Sequence, residues 1–262
     1  MNGLNSAPRF YMWTHPNRSW MENFAQNLLS PDIVMWGEES ETIPAWYAWT
    51  SRHFDEASTP QEFLDKMTAM KAMFDGAMYL ASGRNYYPLE LVNPSAENVQ
   101  DQEIVCDLPY PGNVTINPFS PKHLKTHHGL DQSKLDDPLT RNIFLARYDE
   151  VAFAILKYVG VNGITYQSLY AFRDWMKDAG WDDKKIADEA GWSGSRLKDF
   201  TNTANNPAYL GPFARHGGSK DPPPKRPMLL DEAEKGLLQA VNRFLLHRAA
   251  TVDLRAEWNA LR

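Results

Sequence analysis

The sequence DPLTRNIFLARYDEVAFAILKYVG, residues 137–160, carries the strongest structural pattern in the chain. Asp137 and Pro138 are typical of a helix start, because aspartate caps a first turn and proline fits its first position. Gly160 and Gly163 follow as stop signals. The pattern predicts one long helix with one apolar face. That face comprises Ile143, Phe144, Val151, Ala154, Ile155, Tyr158 and Val159.

Helical patterns also dominate the rest of the C-terminal half. We predict a helix over residues 165–180, capped by Thr165 and ended by Gly180, shorter helical pieces around 184–190 and 195–203, and a last helix over about 230–250. A polar, proline-rich stretch precedes the last of them. Short loops and long amphipathic helices are typical of a compact bundle, so residues 137–262 are predicted to form a mainly helical domain.

The N-terminal half has a mixed pattern. Thr59-Pro60-Gln61-Glu62 combines an N-cap, a proline at the first helical position and the glutamate of a capping box, so we predict a helix that ends near Gly83. We expect residues 1–130 to form a mixed domain and the whole chain to be of the α+β class. The segment 109–137 has little periodicity and marks the predicted boundary. Short strands are predicted at 9–13, 32–36, 89–93 and 103–108.

Composition limits the classes of function. The chain has 262 residues, one cysteine and a net charge of −6. No apolar run approaches the roughly 20 residues of a membrane span, and the first residues lack a signal-peptide pattern, so we expect a cytoplasmic protein without membrane contact. Residues 137–262 hold 18 basic and 16 acidic side chains, which assigns any anionic partner to this half.

The common enzyme motifs are absent. The chain has no phosphate loop, dinucleotide fingerprint, hydrolase elbow, His-Glu-x-x-His or Cys-x-x-Cys sequence. His123 and His127 lie four residues apart, a spacing that suits a divalent metal on one helical face. No acidic motif completes that pair nearby, so we expect neither a metal site nor a cofactor.

Residues 184–198 resemble a helix-turn-helix. The stretch has alanine where two helices touch, glycine in the turn and Leu197 four residues after Ser193. From Lys177 to Asp199, however, five basic side chains stand against six acidic ones. Phosphate binding requires an excess of cations, so this count disfavours DNA binding and leaves it as an alternative.

The loop from Gly211 to Arg226 is basic, with four Lys or Arg side chains and one Asp. Arginine binds phosphate in a bidentate manner and histidine transfers protons near neutral pH, so Arg215 and His216 are candidate catalytic residues. Alternatively, this pair anchors the loop through neighbouring carbonyl and carboxylate groups. The candidate nucleic-acid ligands are Arg215, Lys220, Lys225, Arg226, Arg243 and His247.

Several short motifs support a family resemblance. They are Leu169-Tyr170, Thr203-Ala204-Asn205-Asn206-Pro207, Ala214-Arg215-His216-Gly217 and Pro227-Met228, the last ahead of the acidic helix start Asp231-Glu232-Ala233. Through them, residues 145–248 resemble a set of uncharacterised bacterial proteins and, distantly, HEPN domains. The resemblance implies either a metal-independent ribonuclease or an inactive RNA-binding or dimerising module of bacterial conflict systems. Active HEPN domains separate Arg from His by four to six residues. Here Arg215 and His216 are adjacent, and three residues separate Arg243 from His247.

These observations give three expected functions. The first is an intracellular bacterial binding or regulatory protein, of a defence system, whose helical domain engages RNA or a protein partner, either alone or as a homodimer. The second is a HEPN-type ribonuclease in which His216 acts as acid and base and Arg215 binds the phosphate. The third is a helix-turn-helix regulator that binds DNA.

Overall fold

The computed structural model joins a small antiparallel sheet to a set of packed helices, as expected of the α+β class. It describes residues 12–14, 21, 28, 30–40, 43–92, 113–120, 132–215, 222 and 224–261. Within this part of the chain, no helix is both long and apolar enough to cross a membrane.

The sheet has four antiparallel strands in the order β2-β3-β1-β4. Their bounds are Met12–Thr14 (β1), Val34–Ser40 (β2), Ile43–Thr50 (β3) and Leu91–Val92 (β4). Strand β3, which the sequence pattern did not predict, pairs with β2 through Val34 and Thr50 and with β1 through Trp13 and Ala48. The strand predicted at 103–108 lies outside the described residues.

The described residues contain a long helix from the N-terminal half and a series of helices after residue 137. Their bounds are Pro60–Ser82 (α1), Pro138–Leu145 (α2), Glu150–Asn162 (α3), Tyr166–Asp178 (α4), Asp183–Glu189 (α5), Gly194–Ala204 (α6), Pro207–Leu210 (α7), Leu230–Thr251 (α8) and Leu254–Ala260 (α9).

The start of α1 follows the predicted capping chemistry. The Thr59 hydroxyl accepts the Glu62 backbone N–H at 3.1 Å. The Glu62 carboxylate accepts the Ser58 backbone N–H at 2.8 Å, so the capping box closes one residue earlier than the sequence suggests. The predicted helix that begins after Thr59 and stops at Gly83 is confirmed.

The single long helix predicted after Asp137 is wrong, because the chain breaks into α2 and α3. The Asp149 carboxylate accepts the Ala152 backbone N–H at 2.8 Å and thereby caps a new helix. The apolar spacing runs through the break because the intervening turn, residues 146–149, is short. Arg147 lies in this turn, and its guanidinium binds Asp32 from the sheet half.

Helices from the two halves of the chain share one core. The most extensive contact between helices joins α1 to α3, and the buried apolar side chains of both halves form one continuous cluster. Gly76 and Gly160 lie where the two helices cross, and their lack of a Cβ allows the backbones to touch. The boundary between two domains that the sequence predicts at residues 130–137 stays a prediction, and the buried apolar core includes residues from both sides of it.

Candidate nucleic-acid interface

A tight turn joins α5 to α6 and gives them the connection of a helix-turn-helix. Gly191 has φ of +71°, which only glycine adopts without strain. The Trp192 N–H donates to the Ala187 carbonyl at 2.8 Å and the Gly191 N–H to the Asp188 carbonyl at 3.1 Å. These two bonds form a Schellman end to α5. The Ser193 hydroxyl then caps α6.

The inner side of this unit is packed against the rest of the bundle. Ile186 and Ala187 of α5 and Leu197 and Phe200 of α6 are all buried. A Cβ on Gly236 of α8 would lie 2.7 Å from the indole Nε1 of Trp192, so the turn packs directly on the backbone of α8. Because this packing fixes which side of α6 faces inward, it also fixes which side faces solvent.

The outer face of α6 is polar. Ser195, Lys198 and Asn202 are exposed, and at 3.6 residues per turn their side chains fall within an arc of about 60°. Lys198 takes part in no ion pair among the residues that the structure describes. The helix therefore presents an ammonium, an amide and a hydroxyl on one side. The opposite arc holds the buried Leu197, Phe200 and Ala204.

The fold makes this region more basic than its linear sequence indicates. Residues 183–204 carry four cationic and four acidic side chains. Ion pairs to these carboxylates bring in four further cations, and one carboxylate, Glu232, pairs with Arg196, so residues 183–204 together with their direct ion-pair partners have a net charge of +3. The added cations are Arg173, Lys177, Arg226 and Arg243.

Hydrogen bonds favour the ionised form of two carboxylates of this surface. Bonds from Lys185 and Arg243 lower the pKa of Glu189, and bonds from Arg196 lower the pKa of Glu232. These two carboxylates thus stay ionised and paired with their cations at neutral pH.

A buried methionine holds the basic loop beside α6. Met228 is fully buried, and its N–H donates to the Thr203 hydroxyl of α6 at 3.0 Å. The Tyr166 hydroxyl donates to the Met228 carbonyl at 2.8 Å. Two residues earlier, the Arg226 guanidinium lies 3.0 Å from the Asp199 carboxylate. Lys225 and Arg226 are both exposed, so the loop adds cations to the edge of α6.

Arg215 makes contacts of the kind expected of a loop anchor. Its guanidinium lies 4.2 Å from the centre of the Tyr170 ring and 3.1 Å from an Asp174 carboxylate oxygen. Its backbone N–H donates to the Ala204 carbonyl at 2.9 Å. His216 and Lys220 lie outside the described residues, so the catalytic pair stays a prediction.

Arg243 and His247 lie one turn apart on α8, and both are exposed. Arg243 contacts Glu189 of α5 at 2.7 Å, and the His247 ring lies 6.2 Å from the Trp181 ring, measured between centroids. The predicted cations are therefore paired with three different helices: Arg215 with α4, Arg226 with α6 and Arg243 with α5.

A second polar cluster lies buried between the sheet and the helices. The His53 Nδ1 accepts the Ser120 backbone N–H at 3.0 Å, and its Nε2 lies 3.0 Å from an Asp32 carboxylate oxygen and 3.3 Å from a guanidinium nitrogen of Arg147. The Ser120 hydroxyl donates to Glu56. Both nitrogens of His53 are thus engaged, and neither is free to deprotonate the Ser120 hydroxyl as a catalytic triad requires.

The sequence alone gave no sign of this cluster, because its members come from four distant segments. Burial acts to raise the pKa of Asp32, but Arg147 and His53 together outweigh it and hold that pKa below its usual range. The cluster is a structural link that ties the turn between α2 and α3 to the residues flanking β2 and β3.

The described residues contain no group of three or more His, Cys, Asp or Glu side chains that could hold a metal ion. His123 and His127 lie outside them. No family model, no curated protein and no solved structure matches the chain.

Proposed function

We propose that this protein is a DNA-binding regulator that places α6 in the major groove of duplex DNA. The observation that carries the proposal is the outer face of α6, where Ser195, Lys198 and Asn202 are exposed together on a helix held by a glycine turn. The major groove of B-form DNA is wide enough to admit an α-helix, and such side chains form hydrogen bonds with base edges.

The charge of the surrounding surface supports the same partner. Arg226 and Lys225 flank α6 and are exposed, and two carboxylates of the unit are paired with cations from outside it, Asp199 with Arg226 of the loop and Glu189 with Arg243 of α8. Cations beside a recognition helix bind backbone phosphates and fix its position on the duplex. The exposed side chains of Lys225 and Arg226 therefore lie where backbone phosphates would approach α6.

The shape of the unit favours DNA over duplex RNA. The major groove of A-form RNA is deep and narrow, so side chains on a helix do not reach its bases. The ribonuclease alternative depends on Arg215 and His216. The Arg215 guanidinium is already engaged by Tyr170 and Asp174.

Two matched arginine variants test the proposal. Arg226 and Arg255 have side chains that are 67% and 68% exposed, and each pairs with one aspartate, at 3.0 Å and 3.5 Å. Arg226 lies beside α6, near the start of α8, whereas Arg255 lies on α9, beyond the other end of α8. The 22 residues of α8 span about 33 Å.

Fluorescence anisotropy with random-sequence DNA and RNA duplexes of equal length measures the difference. We expect the full chain to bind the DNA duplex more tightly than the RNA duplex. Arg226→Ala should weaken DNA binding on every sequence, because it removes a phosphate ligand and leaves the negative charge of Asp199 with one paired cation fewer. Arg255→Ala should leave DNA binding unchanged. Tighter RNA binding, RNA cleavage or equal losses from both variants would contradict the proposal.

A further inference from the structure

We infer that α6 recognises a guanine through Lys198 and an adenine through Asn202, an inference that rests on the proposed function. These two side chains differ from their neighbours in being free to bind. Both are exposed, and neither forms a hydrogen bond or ion pair with another described residue.

The neighbouring polar groups of α6 are already engaged. Arg196 donates from Nε to Glu232 at 2.6 Å and pairs with Asp199, so its guanidinium faces α8. The Ser195 hydroxyl lies 2.9 Å from the Ser193 hydroxyl at the helix start. The unengaged donors and acceptors on the outer face are therefore the Lys198 ammonium and the Asn202 amide.

The chemistry of these two groups selects different purines. An asparagine amide has one donor and one acceptor in one plane, which match the N7 acceptor and N6 amino donor of adenine. A lysine ammonium has only donors, which match the O6 and N7 acceptors of guanine. The pair thus predicts a mixed G and A site rather than a run of one base.

The spacing of the two residues limits the spacing of the two bases. Four residues of α-helix separate their Cα atoms by about 6 Å along the helix axis. Successive bases on one strand are stacked about 3.4 Å apart. With α6 along the groove, the recognised guanine and adenine should lie within about two base pairs of each other.

Base analogues test the assignment one atom at a time. A duplex selected by the wild-type chain from a random pool is remade with 7-deazaadenine or 7-deazaguanine at each purine, which removes only N7. For the wild type we expect the affinity to fall about 2- to 12-fold at one adenine and at one guanine. Removing N7 removes one of the two hydrogen bonds of a bidentate contact, so we expect half of the free energy of that contact to be lost. Asn202→Ala should be insensitive at that adenine and Lys198→Ala at that guanine.

Asn259→Ala supplies the control, since Asn259 is an exposed asparagine on α9 and should keep the full sensitivity of the wild type. Failure to bind any DNA duplex would overturn the proposed function and this inference together. Binding without a selected sequence, or equal analogue sensitivity in wild type and Asn202→Ala, would overturn the inference alone and leave DNA binding intact.

Discussion

Adding one methyl group where α1 crosses α3 should destabilise the protein, although the same change stabilises most helices. A Cβ on Gly76 would lie 2.7 Å from the carbonyl carbon and 2.9 Å from the Cα of Leu156. A Cβ on Gly160 would lie 2.7 Å from the carbonyl carbon of Ala72. In both cases the carbonyl oxygen of the same residue, Leu156 or Ala72, lies closer still, so restoring ordinary contact at 3.4 Å must separate the helices by more than about 1 Å.

The size of the effect follows from the contacts that such a gap weakens. A buried leucine makes about 40–60 contacts of about 0.1–0.2 kcal/mol, and a gap of only 0.5–1 Å already forfeits a quarter to a half of each affected one. Leu156 and Val159 of α3 and Met73 of α1 are all fully buried near this crossing. Their lost contacts outweigh the helix-propensity gain of about 1 kcal/mol from Gly to Ala. Both obstructing groups are backbone, so no rotamer change relieves the clash.

We therefore expect Gly76→Ala and Gly160→Ala each to lower the free energy of unfolding by about 1–3 kcal/mol. For a chain of this size, that corresponds to a melting temperature lower by about 2–4 °C per kcal/mol, measurable by circular dichroism. Gly194→Ala is the control, because nothing lies within 4 Å of its added Cβ at the start of α6. Melting temperatures at or above wild type for both crossing variants would refute the reasoning.

Two further predictions concern buried carboxylates. Asp32→Ala should lower the free energy of unfolding, measured by urea denaturation, by about 3–5 kcal/mol, because it leaves Arg147 buried without its partner. Asp136→Ala, which removes the exposed partner of Arg255, should change that free energy little. The lowered pKa of Asp32 gives stability that is present above pH 3.8 and lost as the pH falls below it, so the cost of Asp32→Ala should shrink in acid; an unchanged cost would contradict this. Burial raises the pKa of Asp75 even though Lys71 acts to lower it. The contribution of the Asp75 side chain to the free energy of unfolding is therefore fully present below pH 3.8 and declines as the pH rises. Wild type should therefore lose stability relative to Asp75→Asn above pH 3.8, and a gap that is constant with pH would argue against the assignment.

The elements that were predicted correctly are those that local chemistry specifies. Thr59 and Thr165 cap their helices through their own hydroxyls, and Gly83 and Gly163 end helices with positive φ. Such signals act over a few residues, so a single sequence reveals them. The break at Asp149 was missed for a related reason. Asp149 is a residue type that commonly caps helices, but the apolar residues keep their helical spacing on both sides of it, and this spacing favoured a single helix.

The candidate site was only half predictable, because its electrostatics depend on long-range contacts. The turn at Gly191 and the nucleic-acid role of Lys225 and Arg226 were proposed from sequence. The pairing of Arg226 with Asp199 and of Arg243 with Glu189 joins residues 27 and 54 positions apart, which a count along the chain does not include. Asn202 was overlooked, although its spacing from the buried Leu197, Phe200 and Ala204 places it on the outer face.

The salt dependence of DNA binding tests the central claim most directly. For each phosphate contact, the slope of log K against log salt changes by about 0.9, whatever the sequence bound. If Arg226 binds a phosphate beside α6, Arg226→Ala should reduce the magnitude of the wild-type slope by about 0.9, and Arg255→Ala should leave it unchanged. Equal slopes for wild type and Arg226→Ala, or the same reduction in Arg255→Ala, would contradict the assignment of α6 and its flanking loop as the DNA-binding surface.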